Sequence, residues 1–426
     1  MKISLIVPNR NNLKYFKWSY DSIRKNQGNH EVWICSAVDA CTDGTLEWYE
    51  ELSKKDPYFK YIVNSGPERL GLTILYNKIV EDIVETDLVM VWHCDMYLCP
   101  GALDEIEKLM YDGENLIKNR IVSLTRIEPP LHPGGKEKIV GNFGIEPESF
   151  DEDGLFAQLD VWSRLDNWEY TCNFNPNQPM KFNVPLKGTT SGIFAPWTVC
   201  KDEFLEINGH DYLFTPQSKE DDDLWNRFLL NGTEFVQTRE GYCYHMTCRG
   251  SRFNPYLTTP GKSSEEWEFN NRNSMLNFIR KWQSFPKHDE WHHPIMPKHR
   301  RNIGFILRNC GYDFISALEP WCDRLVYVEL EQEIIDTYVK REQHNTKFDL
   351  KTKMEYGACE TDVIVEIDGQ RFNQTDFINI QHLSDIITQA NELGEFELGN
   401  LKITIRSLQT YEKELIVCKN EPITLK

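Results

Sequence analysis

The chain has 426 residues, enough at roughly 150 residues per domain for two or three domains. Its 40% hydrophobic and 27% charged content is that of a globular protein, not a disordered one. The 66 Asp and Glu against 47 Lys and Arg give a formal charge of -19. That argues against nucleic-acid wrapping and against docking on an anionic membrane, though a small phosphorylated ligand in a locally positive site stays compatible with it. No stretch approaches the ~20 apolar residues of a membrane span. The 12 cysteines are scattered with no CxxC pair, which fits free thiols in a reducing, cytoplasmic setting better than a zinc module.

Residues 3–8 read as a buried first strand, too short for the apolar region of a signal peptide. A helix is expected over 13–25, with Leu13, Phe16, Trp18 and Ile23 apolar, then a strand at 31–37, a short helix at 45–53 and a strand at 59–63. Leu72, Leu75, Ile79 and Ile83 space a helix over 72–85, and 87–92 is a strongly apolar strand. Such alternation predicts an α/β fold, Rossmann-like with a mostly parallel sheet, whose ligands bind at the carboxyl ends of the strands. From 126 to 186 the pattern breaks at Pro129, Pro130, Pro133, Gly134 and Gly135, and the stretch reads as irregular and functional. Order returns at 187–232, and 264–283 reads as a helix. Pro286, Pro294 and Pro297, with His288, His292, His293 and His299 among them, read as a solvated linker. Strands near 302–307, 324–330, 362–367, 401–406 and 414–418 predict a second, smaller α/β domain. The expected division is therefore 1–260, a helix and linker over 261–300, and 301–426.

The strand ends carry the polar motifs. The first strand runs into Pro8-Asn9-Arg10-Asn11-Asn12, the second into Asp39-Ala40-Cys41-Thr42-Asp43-Gly44-Thr45, and the fourth into His93-Cys94-Asp95. Further on come Glu220-Asp221-Asp222-Asp223-Leu224-Trp225-Asn226-Arg227, and His245 after an apolar run. Part of this is ordinary helix chemistry. Asp43 before a helix is an N-cap pattern, and Ser218 three residues before Asp221 is a capping-box pattern. Acids in a first helical turn are favoured by the dipole in any case.

Taken in order, the segments LIVPNRNN, DACTDGT, HCDMYLCPGAL, SGIFAPW and EDDDLWNR resemble a GT-A glycosyltransferase of the family 2 type. The resemblance covers about residues 1–250 and leaves 301–426 outside it. It implies a GT-A catalytic domain and a non-processive glycosyltransferase. Such an enzyme moves a sugar from a nucleotide-diphosphate donor, expected to be UDP-linked, to a hydroxyl of a glycan or other acceptor. Pro8, Asn9, Arg10, Asp39, Arg69 and Cys94 then fall to the nucleotide, with the Asp39 carboxylate accepting from a uracil N–H. His93-Cys94-Asp95 stands where the family has its DxD motif, with His93 in place of the first Asp. Asp95, His93 and His245 would hold a divalent cation, and imidazole suits Mn²⁺ better than Mg²⁺. Glu220-Asp221-x-Asp223-Leu224-x-x-Arg227 matches the ED motif, which makes Asp221 the general base of an inverting transfer with Glu220 beside it. Like-charge neighbours would raise its pKa.

By the same resemblance Gly192 lets the backbone approach the donor sugar, Trp197 and Asp211 touch the acceptor, and Arg249 and Arg252 hold the diphosphate when a loop closes. No QxxRW follows, which disfavours a processive synthase. Three other readings stay open: a retaining transferase, a catalytically inactive binding module, and a nucleotidyltransferase. The third is weakened by the absence of a Gly-rich phosphate loop near the start. The C-terminal domain reads as a scaffold, an acceptor-binding unit or a surface for homo-oligomers.

Overall fold

The computed structural model describes residues 1–426 except 248, 250–262, 329–331, 355–356 and 426. The expected alternation is present. Lys2–Asn9, Glu31–Asp39, Phe59–Asn64 and Leu88–Val91 are strands, separated by the helices Leu13–Asn26, Thr45–Lys55 and Leu72–Asp82. They pair in parallel, Lys2–Asn9 lying between Glu31–Asp39 and Leu88–Val91. Leu88 to Val91 are all buried, as continuous apolar strands of a sheet covered on both faces must be. The sheet continues through Trp197–Cys200, which is antiparallel to its neighbours, and then through Arg120–Glu128 and Glu234–His245. The result is the predicted α/β architecture with a mainly parallel central sheet.

The 126–186 stretch is more ordered than its prolines suggest. Lys138–Val140 adds to Arg126–Glu128 in parallel, Glu152–Trp162 is a helix, and Asn167–Cys172 forms a hairpin with Met180–Pro185. Leu155, Trp162, Tyr170 and Val184 from this stretch build a separate cluster with Tyr242 and Tyr244. The helix contains Gly154 and needs the Asp151 carboxylate as its cap. The hairpin alternates exposed polar residues with the buried Tyr170, Cys172 and Val184 and the half-buried Trp168 and Phe182.

A second sheet has the order Arg324–Val328, Ile303–Arg308, Val363–Asp368, Leu401–Ile405, Gly394–Leu398. Its first three strands are parallel and its last two antiparallel. The strand expected at 414–418 is absent: Glu412–Leu415 is a 3-10 turn. The tail then returns to the first sheet's side, where the Asn208 side chain donates to the Cys418 carbonyl (2.8 Å) and Asn420 donates to the His210 carbonyl (2.8 Å). Between the two sheets lies the helix Glu265–Trp282, capped by Ser264. Phe278 and Trp282 pack on Leu213 and Phe214, while Ile279 enters the second core.

Candidate active site

The carboxyl ends of the first sheet open into a cleft of about 1780 Å³. Pro8, Asn9, Arg10, Asp39, Arg69, His93, Cys94, Asp95, Glu220, Asp221, His245 and Arg249 all line it. Residues that sequence analysis gathered from six separate segments are thus brought to one place.

Strand pairing builds the His/Asp cluster. The short strand Met96–Leu98 pairs antiparallel with the end of Glu234–His245, setting His245 opposite Met96. The Met246 N–H donates to the Asp95 carbonyl at 3.0 Å, and His245 Nε2 lies 3.4 Å from Asp95 Oδ1. His93 faces them, its ring centroid 5.5 Å from that of His245. Among the described residues, His93, Asp95 and His245 offer one ligand atom each within 4.8 Å of one another. Two imidazoles and a carboxylate are a donor set that fits Mn²⁺ or a similar transition-metal ion.

Behind the cluster stands Glu128, which sequence analysis missed. Its Oε1 is 2.8 Å from His245 Nδ1, and it is buried between Arg126 (2.8 Å) and Lys138 (2.8 Å). Burial would raise the Glu128 carboxyl, but the two cations and His245 hold it well below the usual range. With Nδ1–H directed at Glu128, Nε2 is the nitrogen left for a cation beside Asp95, the arrangement by which carboxylates orient metal-binding histidines. Burial would also lower His245, yet Asp95 and Glu128 outweigh it and hold its pKa up at about 9. His93 goes the other way, pushed down to about 4 by burial and by the His245 charge. Cation binding at His245 therefore displaces a proton. Glu128→Gln is expected to weaken Mn²⁺ binding by about 10–100-fold without changing the three ligands, measured by titration of Mn²⁺ against its EPR signal. Unchanged affinity would show that Glu128 does not orient His245. The sequence signal was there: Arg126 and Glu128 are alternate residues of a strand buried along nearly its whole length.

The acidic motif opens the helix Glu220–Leu230. The predicted capping box does not form. The N-cap is Lys219, left-handed and without a side-chain cap, and the Ser218 hydroxyl donates instead to Asn271 Oδ1 at 2.7 Å. Ser218 (φ 81) and Lys219 (φ 64) are consecutive left-handed residues, a strained turn of a kind that persists only when the surroundings hold it. The holding comes from the helix Glu265–Trp282, through Asn271 and through the Ser274 hydroxyl on the Gln217 carbonyl (3.2 Å). Gly71 supports the same turn from below: a Cβ there would lie 2.5 Å from Pro216 Cα.

Freed from capping, Asp221 faces the cleft, and Glu220 Oε2 is buried without a hydrogen-bond partner. Both carboxyls are pushed up toward neutrality, by burial first. The charge of Asp221 adds to the effect on Glu220, and that of Asp222 to the effect on Asp221, with Arg126 and Lys219 opposing the latter. Like-charge neighbours thus raise both carboxyls as expected, with desolvation the larger cause. Asp222 is held low by its bond to His288 (2.9 Å), and Asp223 points inward to Arg227, Lys281 and the Trp282 N–H. One run of four acids therefore supplies two raised carboxyls to the cleft and two anchored ones.

Of the other predicted residues, Asp39, Arg69, Cys94 and Arg249 line the cleft, while Trp197 and Asp211 do not. Asp39 organises the loop beside the cleft: Oδ1 accepts from Asn64 Nδ2 (2.7 Å) and the Leu70 N–H (2.8 Å), and Oδ2 from the Gly71 N–H alone (3.1 Å), which leaves Oδ2 room for a further donor. Trp197 is fully buried in the central sheet between Val91 and Ser123 and is core, not an acceptor contact. Asp211 is turned away from the cleft, paired with Lys281 at 2.7 Å and capping a 3-10 turn. Gly192 does serve a close approach, but to another part of this chain: a Cβ would lie 2.6 Å from the Trp291 carbonyl oxygen. Arg249 is held by Glu146 (3.3 Å), Arg69 pairs with Glu266, and the Cys94 thiol donates to the Pro8 carbonyl (3.4 Å). Arg252 lies outside the described residues. Asp43 does bind the first turn of its helix, through the Thr45 N–H (3.3 Å) and hydroxyl (2.5 Å).

No protein-family model matches the sequence, and no curated protein matches it. Solved structures similar to this one include the mannosyltransferase PcManGT from Pyrobaculum calidifontis in complex with GDP-Man and Mn²⁺. There the identity is 12% and the TM-score 0.40, over 66% of this chain and 63% of that one. GalNAc-T7 with UDP, GalNAc and Mn²⁺ gives 12% and 0.44, over 81% and 55%. S. aureus TarS gives 14% and 0.38, over 66% and 44%. This chain thus spans less than two thirds of the length of each of these three. Among the described residues, no helix is long and apolar enough to cross a membrane.

Proposed function

We propose that the cleft transfers a glycosyl group from a nucleotide-diphosphate sugar to an acceptor hydroxyl, with inversion, Asp221 acting as general base. The observation that carries this reading is the meeting in one cleft of the His93, Asp95 and His245 donor set with a carboxyl raised toward neutrality and free of any cap. A divalent cation on the triad would supply charge neutralisation for the departing diphosphate. The remaining steps belong to side chains. Pro8, Asn9 and Arg10 line the nucleotide end, and Arg10 Nη1 is fixed there on the Asp39 carbonyl (3.1 Å). Arg69 and Arg249, now on Glu266 and Glu146, supply cations at the rim for the diphosphate. Asp221 takes the acceptor hydroxyl proton as that oxygen attacks the anomeric carbon, and the carbon–oxygen bond to the diphosphate breaks on the opposite side. Burial, which raises Asp221, makes it a better proton acceptor at neutral pH than an ordinary aspartate.

Calorimetric titration of UDP, GDP, CDP and dTDP, each with and without Mn²⁺, tests the donor half of this reading. One nucleotide is expected to bind only with Mn²⁺, and Asp95→Ala is expected to weaken that binding by about 100-fold or more. Binding independent of both Mn²⁺ and Asp95, or no binding at all, would overturn the assignment.

A further inference from the structure

The proline- and histidine-rich stretch predicted as solvated linker is folded and forms part of the cleft. Residues 287–295 make a closed loop. The Ile295 N–H donates to the Lys287 carbonyl (2.8 Å), and Asp289 Oδ1 accepts from the N–H groups of Trp291 (2.8 Å) and His293 (2.9 Å). The loop is docked on the first sheet. His293 Nδ1 meets the Ser191 carbonyl at 2.7 Å, Lys136 pairs with Glu290 at 2.7 Å, and the Trp291 carbonyl occupies the space that Gly192 leaves open. Docking turns His288 and His292 into the cleft, stacked on each other with centroids 4.0 Å apart. His292 also meets Phe194 (5.4 Å) and Trp225 (5.9 Å), and Arg126 lies over the Phe194 ring at 3.5 Å. His288 is bonded to Asp222, the residue next to Asp221.

We propose that the loop 287–295 is the acceptor wall of the cleft, and that the group it receives beside Asp221 is a sugar ring laid against His292 and Phe194, with the buried Trp225 backing them. This deepens the proposed function and rests on it. The chemistry of the wall selects the class of ligand. Aromatic and imidazole rings offer apolar area for the C–H face of a pyranose at low entropic cost, and Asp222 and Arg126 at their edges offer an acceptor and a donor for its hydroxyls. A lipid chain would meet charged groups at every edge, and an extended peptide would need a free sheet edge or backbone donors that these side chains do not provide. His288 is a positioning residue in this scheme, fixing Asp222 and so the edge of the ring site.

The test uses the full chain and a panel of methyl glycosides of glucose, galactose, mannose and N-acetylglucosamine, followed by saturation-transfer NMR with and without nucleotide and Mn²⁺. His292 has a left-handed backbone (φ 64), so His292→Asn removes the ring in a residue type that tolerates the conformation. Gly192→Ala displaces the loop from outside the cleft, through the Trp291 carbonyl. Each variant is expected to weaken the best glycoside by about tenfold or more while leaving nucleotide affinity as in wild type. A thermal melt confirms that both are folded. Glycoside binding unchanged in both variants, or absent from wild type, overturns the proposal. If no nucleotide binds while glycosides do so in a His292-dependent way, the donor assignment fails and the sugar wall stands.

Discussion

Asp221→Asn is expected to lower kcat by about 10²–10⁴-fold, the range over which a positioned general base accelerates a reaction. The amide keeps the shape of the carboxyl and its place at the start of the helix Glu220–Leu230, so nothing that positions the site should move. Donor binding is expected to be unchanged, because His93, Asp95 and His245 lie on other elements and no ion pair links them to Asp221. Single-turnover kinetics alongside calorimetry of the nucleotide separates the two readouts. Turnover within about tenfold of wild type would remove Asp221 as the base. Glu220, the other raised carboxyl in the cleft, would take its place as the group to test.

The same carboxyl sets a pH dependence. Burial, with help from Asp222, pushes Asp221 up to about 7 against the opposing pull of Arg126 and Lys219. Its basic form is lost as pH falls, so kcat/KM is expected to decline below about pH 7, well above the range of an ordinary aspartate. The stability consequence has the opposite sense. A carboxyl whose pKa is raised on folding favours the folded state while protonated, and that contribution is lost as pH rises through the folded pKa. Asp221→Asn removes the penalty of the buried charge and is expected to be more stable than wild type at pH 8, on the order of 1 kcal/mol. The difference should vanish near pH 4, where the wild-type carboxyl is neutral too. A variant that is inactive and more stable is the signature of a residue kept for chemistry.

How much of this was legible in the chain follows from where each signal comes from. Strands such as Leu88–Val91 are apolar on both faces, and no other element explains four such residues bounded by polar turns. The cleft motifs were legible because strand ends in an α/β sheet converge on one edge, so His93 and Asp221 could be assigned to one site before any geometry was known. The failures have a common cause, which is that a side chain's partner is set by tertiary contact. Ser218 reads as a cap by spacing, but Asn271, 53 residues later, takes its hydroxyl. Trp197 reads as a sugar platform, but the strand that carries it lies in the middle of the sheet. His288 and His292 read as linker because prolines flank them, whereas Asp289 closes their loop with backbone hydrogen bonds that no periodicity reports. Gly394–Leu398 is an edge strand in which Phe396 and Leu398 alternate with exposed residues, an apolar pattern of only two side chains and too short to mark a strand.

Glu319→Gln is expected to cost about 3–5 kcal/mol of stability, the toll of removing one partner from a buried ion pair. Glu319 and Arg280 both have fully buried side chains, joined at 2.7 Å. Glu319 also takes Lys353 (2.6 Å) and the Tyr338 hydroxyl (2.8 Å), so one carboxylate serves two buried cations. An amide in its place leaves Arg280 with Glu342 as its one carboxylate (3.0 Å), beside the Asn277 amide oxygen (3.0 Å), and Lys353 with a backbone carbonyl. Burial would raise the Glu319 carboxyl, but Lys353 and Arg280 outweigh it and hold its pKa down at about 2. A depressed carboxyl stabilises the folded state above its unfolded pKa and loses that contribution as pH falls toward the folded value. The wild-type advantage over Glu319→Gln should thus be full at pH 7 and shrink between about pH 4 and pH 2. Urea unfolding followed by tryptophan fluorescence measures it, with Trp321 two residues away and Trp282 on the bridging helix. A loss below about 1 kcal/mol would place the network in the class of exposed ion pairs, against its burial. Arg280 lies on the helix whose Asn271 and Ser274 hold the strained turn before Asp221. Loosening that helix is therefore expected to raise the mobility of the catalytic turn as well, read as faster amide exchange at Ser218 and Lys219 than at Leu88–Val91 in the same variant.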